Sequence, residues 1–218
     1  MMQSIEIHIE TLLRRHPELA PTAPAIRETI ETILAAFRAG NTLFCCGNGG
    51  SAADADHICG EFLKGFLLRR ELPAAEQKRF TERFGAEGSE LAGKLQRGLR
   101  SVSLLSHPGF TSAFCNDVDP YLVYAQQLYA LGRNGDVLLG ISTGGGAVNV
   151  KYAEMAAKMM GIRTILLTGN RHGACEKYAD IVIAVPDSET YRIQELHLPV
   201  YHTVCAAVED AMFGGEER

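Results

Sequence analysis

The sequence predicts an α/β fold, a parallel sheet with helices on both faces. Three observations point there. Five short apolar runs alternate with stretches of helical periodicity along the 218 residues. The central runs carry apolar side chains at consecutive positions, so both of their faces must be covered. Two of the runs end in glycine-rich turns that lead into a helix, as strands of such sheets do where they meet a ligand.

Ile5, Ile9, Leu12 and Leu13 fall at helical spacing over residues 4–15. "HPEL" and "PTAP" break that helix. A second is predicted over 23–39, with Ile26, Ile30, Ile33, Leu34 and Phe37 on one face and Gly40 at its end. Residues 1–40 are therefore N-terminal helices. "NTLFCCG" (41–47) reads as a buried strand, and 51–67 as the helix after it. Residues 69–100 are charged and read as an inserted, solvated helical arm, with helical pieces at 74–84 and 90–96. "SVSLL" (101–105) is the second strand. A helix near 110–114 leads to the loop "CNDVDP", and 121–131 is helical. "GDVLLGIST" holds the clearest strand, at Val137, Leu138, Leu139 and Ile141. A glycine turn follows, then a helix closed by Gly161. "RTILLTG" and "DIVIAVP" are the last two strands, with a short helix near 175–178 between them. The final helix is expected from about 190 to 212. Pro199 inside it implies either a kink or a later start.

The chain reads as a single domain with a real core, with 46% hydrophobic and 22% charged residues. The net charge of −5 argues against non-specific binding to nucleic acid or to an anionic membrane. There is no run of eighteen apolar residues, and the N-terminus lacks the pattern of a signal peptide. A cytoplasmic protein is expected. The six cysteines form no C-x-x-C pair and read as buried free thiols, not as a zinc site.

"CGNGGSAAD" and "GISTGGGAVN" each carry a strand into a helix through glycines and hydroxyls. Helix N-termini attract anions, and glycine lets a ligand approach the backbone. Neither loop is a Walker A motif or a dinucleotide fingerprint. Either alone reads equally well as a tight turn with a helix cap. Both together favour an anion such as a phosphate. His57 and Glu61 follow the first loop at i and i+4, on one helix face. That spacing suits metal ligation, a base beside a proton partner, or a plain surface ion pair. On the last helix, Gln194 and His202 would lie roughly 12 Å apart if it is straight. They could then not reach one ion without a kink or a second subunit.

"GNGGSAADADH…E", "FCNDVD", "GDVLLGISTGGG" and "RIQELHLPVYH" occur in an order that resembles the sugar isomerase (SIS) domain, and within it the phosphoheptose isomerases. The resemblance covers nearly the whole chain outside 69–100. It implies a flavodoxin-like, five-stranded parallel sheet. It also implies a homotetramer with active sites at subunit interfaces. Glu61 and His202 would be catalytic, the first as base and the second as acid or shuttle. Asn48, Gly49, Gly50, Ser51, Asp117, Ser142, Thr143, Gly144 and Gln194 would bind substrate. His57, Glu61, Gln194 and His202 would hold one zinc ion per active site. The implied reaction is aldose–ketose isomerisation of sedoheptulose 7-phosphate through an enediol. Two departures stand out. Gly144 and Ala147 occupy positions where the family has serines, and the 69–100 insert follows the catalytic helix directly. Another sugar phosphate, or a non-catalytic phosphosugar-binding or assembly role, are the alternative readings.

Overall fold

The computed structural model describes residues 2–215. Five strands form one all-parallel sheet: β1 (Leu43–Gly47), β2 (Ser101–Ser103), β3 (Val137–Ile141), β4 (Arg163–Thr168) and β5 (Ile181–Ala184). Their order is β2-β1-β3-β4-β5. The direction of travel across the sheet therefore reverses between β1 and β3. A crevice opens at such a switch point, beyond the carboxyl ends of the two strands.

The central strands are apolar on both faces because two separate cores flank the sheet. Leu43 and Cys45, with Val137, Leu139, Ile141, Ile165 and Leu167, face one core. Helices α1 (Met2–Arg15), α2 (Ala23–Arg38), α3 (Gly50–Leu63) and α8 (Thr190–Phe213) complete it. Phe44, Cys46, Leu138 and Leu166 face the other core, beneath α6 (Val123–Leu131) and α7 (Val148–Met159). Alternation of side chains along each strand assigns them to opposite faces. A short 3-10 turn, Pro17–Thr22, links α1 to α2. Five of the six cysteines are buried, and all six are free.

Several boundaries differ from the sequence reading. The helix expected over 51–67 ends at Leu63, where Lys64 turns extended. The helix near 110–114 is longer, α5 (Pro108–Asp117), and takes in residues 115–117 of the expected loop. The second strand ends at Ser103, because residues 104–106 turn. No helix forms near 175–178; those residues make turns. α8 starts at Thr190, as expected, and continues through Pro199. The carbonyl that loses its partner there belongs to exposed Glu195, where water can satisfy it.

The arm holds α4, a helical run over Ala74–Lys94 broken at Gly85 (φ 62°, ψ −137°). The second piece thus starts after Gly85 rather than near 90, and stops at Lys94. Gly88 lies so close to the Phe80 carbonyl that a Cβ would overlap it. Eight residues of continuous helix would separate those positions by about 12 Å. The contact therefore means that the chain doubles back at Gly85. At the root of the arm, Glu71 and Gln96 pair in an antiparallel bridge. Phe84, Leu91 and Leu95 remain exposed. No helix among the described residues is long and apolar enough to cross a membrane.

Candidate active site

β1 and β3 are paired in register, Gly47 opposite Ile141, so the loops that follow them start at one level. Gly47 must be glycine, since a Cβ would press 2.6 Å from the Ser51 carbonyl oxygen. Gly49 has φ 57° and ψ −120°, a conformation that favours glycine. Together they turn β1 sharply into α3 and bury Ser51 at the start of the helix. In the second loop, the Gly145 amide donates to the Ser142 carbonyl at 2.9 Å, and the Cys175 amide donates to the Gly145 carbonyl at 2.8 Å. Gly173 packs directly on Gly145, leaving no room for a side chain. Ser142 is buried and its hydroxyl accepts from the Ala147 amide at 3.4 Å. Gly144, by contrast, faces open space.

A pair of asparagines clasps the two loops. Asn48 Nδ2 donates to Asn149 Oδ1 at 2.9 Å, and Asn149 Nδ2 donates to Asn48 Oδ1 at 2.8 Å. The Tyr124 hydroxyl donates to the Gly47 carbonyl at 2.5 Å. Neither Asn149 nor Tyr124 stood out in the sequence. Asn149 carries no motif of its own, and only the strand order brings it to Asn48.

α8 lies alongside α3. Gln194 meets α3 at Gly50, where a Cβ would collide with its amide nitrogen. His202 meets α3 at His57, seven residues further on, with ring centroids 5.0 Å apart. Gln194 and His202 thus meet α3 at different points along its length. Asp117 is exposed at the end of α5 and accepts from its neighbour Asn116. No described hydrogen bond joins it to either loop.

Glu61 is buried, with 11% of its side chain exposed. Its Oε1 lies 3.1 Å from His57 Nε2, and its Oε2 accepts from Lys64 Nζ at 2.8 Å. Burial pushes the carboxyl pKa up, but the Lys64 bond and charge, with His57, outweigh it and hold the pKa below the usual value. His57 Nδ1 lies 3.1 Å from the Tyr201 hydroxyl, which also donates to Asp54 Oδ1 at 3.2 Å. Burial, and then the neighbouring His57, lower the pKa of His202, while Glu61 opposes them. Its Nε2 is buried without a partner. Beside it a cavity of about 490 Å³ opens between α1, α8 and the residues Phe66 and Leu67. Lys64 was overlooked in the sequence, although its i+3 spacing from Glu61 was legible.

Lys64 yields a prediction with a definite sign. A general base works only when ionised, so with Glu61 in that role activity would be lost as pH falls through its pKa. Changing Lys64 to methionine removes a hydrogen bond and a charge that lower that pKa. The acid limb of the pH profile of kcat/KM is then expected to move to higher pH, with the plateau retained. An unmoved limb contradicts this role for Lys64.

A metal ion fits these residues poorly as they stand. Both Glu61 oxygens are already engaged. Among the described residues, no three histidine, cysteine or acidic side chains are grouped to hold one.

A crevice at the switch point between two glycine-rich loops, with a carboxylate and histidines two turns beyond the first, matches the layout of a sugar isomerase (SIS) domain. Comparison with known proteins narrows the class. Phosphoheptose isomerase of Synechocystis sp. is 35% identical over 189 residues, 87% of this chain and 84% of the relative. That of Roseiflexus sp. is 36% identical over 214 residues, 98% of this chain and 93% of the relative. The structure of phosphoheptose isomerase from Neisseria gonorrhoeae superposes with a TM-score of 0.72 at 28% identity, covering 96% of this chain and 98% of that one. No protein-family model matches the sequence. The chain belongs to the phosphoheptose isomerase family.

Proposed function

We propose that the protein interconverts D-sedoheptulose 7-phosphate and D-glycero-D-manno-heptose 7-phosphate, in the cytoplasm. The observation that carries this is Glu61, mostly buried and bonded to His57, whose ring meets that of His202, beyond two glycine loops. The loop amides, Ser51, Ser142 and Thr143 take the phosphate. Glu61 removes a proton from C1 of the ketose while the His202 N–H protonates the C2 oxygen. The product of that step is an enediol. Glu61 returns its proton to C2, and His202 recovers one from the C1 hydroxyl, which becomes the aldehyde. A neutral imidazole carries both a donor and an acceptor nitrogen, so the lowered His202 pKa suits this exchange.

Gly144 and Ala147 supply no hydroxyl to the second loop. Each missing neutral donor costs on the order of 1 kcal/mol of phosphate affinity. The open space at Gly144 lets the phosphate approach the backbone instead.

Zinc, expected from the resemblance, remains an addition to this scheme. Binding one would require Glu61 to exchange Lys64 or His57 for the ion, and no step above depends on it. The homotetramer also belongs to the proposal. Exposed Ile7, Leu63, Leu67 and Leu198 support a partner surface near the Glu61 end of α3, and a monomer by light scattering would remove that part.

The test is a direct assay of the purified protein on sedoheptulose 7-phosphate, with added zinc and with a chelator as parallel arms. Aldose formation is expected without added metal; enhancement by zinc and loss with the chelator would bring an ion into the reaction. Turnover unchanged in both arms removes zinc from the reading. Turnover of other sugar phosphates but not the heptulose replaces the substrate. Absence of turnover on any sugar phosphate favours a binding or assembly role.

A further inference from the structure

Arg70 and Glu209 form a fully buried ion pair, with 0% and 1% of their side chains exposed. Arg70 Nε donates to Glu209 Oε1 at 2.7 Å. The other two guanidinium nitrogens reach the end of α3: one donates to the Phe62 carbonyl at 2.8 Å, the other to the Glu61 carbonyl at 3.0 Å. A helix leaves its last carbonyls unpaired, and here an arginine fork fills two of them. Glu209 in turn accepts the amides of Phe66, Leu67 and Leu68. It lies on α8, seven residues or two turns beyond His202, and so on the same side of that helix.

We propose that the Arg70–Glu209 pair positions Glu61 against His202. Glu61 is the third residue from the end of α3, and its own carbonyl is held by Arg70. Arg70 is held by the helix that carries His202. One bonded path thus runs from the backbone of the base to the helix of the acid, independent of the sheet. The root of the arm supplies this path, which ties the insert to the site without any contact between arm and substrate. The inference rests on the reading of Glu61 as the base.

The test compares Arg70→Lys with wild type and with Glu61→Gln in steady-state kinetics, alongside circular dichroism. A lysine cannot bond Glu209 and both carbonyls in one plane. The folded variant is expected to lose about 10- to 100-fold in kcat with KM unchanged, the mark of misplaced chemistry rather than weakened binding. A purely structural role would lower thermal stability and leave kcat of the folded protein untouched. That result, with Glu61→Gln inactive, overturns the inference. If Glu61→Gln is itself active, the base assignment fails and the inference falls with it. Should Arg70→Lys not fold, Glu209→Gln, which keeps size and an acceptor oxygen, is read by the same criteria.

Discussion

Changing Glu61 to glutamine is expected to lower kcat by about 10²- to 10⁴-fold, the usual contribution of a positioned general base. Glutamine keeps the volume and the hydrogen-bonding reach of the side chain. It cannot take a proton from carbon. The side chain is mostly buried between His57 and Lys64, so an amide can retain one contact to each. Folding is expected to survive, with an unchanged circular dichroism spectrum. KM should move little, because the proposed phosphate site is at the loops and not at Glu61. A folded variant with kcat within tenfold of wild type would remove Glu61 from the chemistry.

The largest effect on stability is expected at Glu209. Truncation to alanine leaves Arg70 as an unpaired charge in the core and strips the acceptor from three amides. Breaking a buried pair on one side costs about 3–5 kcal/mol. Total stability of a domain is about 5–15 kcal/mol, so this one change consumes a large part of it. Urea unfolding should show a midpoint lowered accordingly. A shift equivalent to less than about 1 kcal/mol, the scale of a surface ion pair, would mean that the pair is not the anchor its geometry indicates.

Much of this was legible in the residues. The strands declared themselves because each is a short apolar run between polar or glycine positions. The two loops were legible because glycine and hydroxyl residues at strand ends have few other uses. His57 and Glu61 were legible as a pair because their spacing is local. What the sequence concealed is nonlocal. α3 stops at Leu63; Gly65 was a local stop signal that the helical reading passed over, and the claim of Glu209, more than 140 residues away, on the amides of Phe66, Leu67 and Leu68 was not visible locally. Asn149 gains its role only when β1 and β3 become neighbours. The helix expected near 175–178 fails because that segment instead backs the second loop, with the Cys175 amide spent on Gly145. The arm was recognised as charged and helical, but its reversal at Gly85 depended on a backbone conformation that glycine permits without requiring.

The bridge between Glu71 and Gln96 gives the arm an unusual freedom. Facing residues of an antiparallel pair stand about 4.5–5.5 Å apart, so the polypeptide departs and returns through a single doorway. Everything beyond that doorway is a cassette. It can be shortened, lengthened or exchanged with little change in closure entropy, because that cost grows only with the logarithm of loop length. Arg70 lies on the near side of the doorway and stays behind when the cassette changes. The same catalytic floor can thus carry different superstructures, and the arm becomes a place where a lineage can vary its surface without disturbing its chemistry.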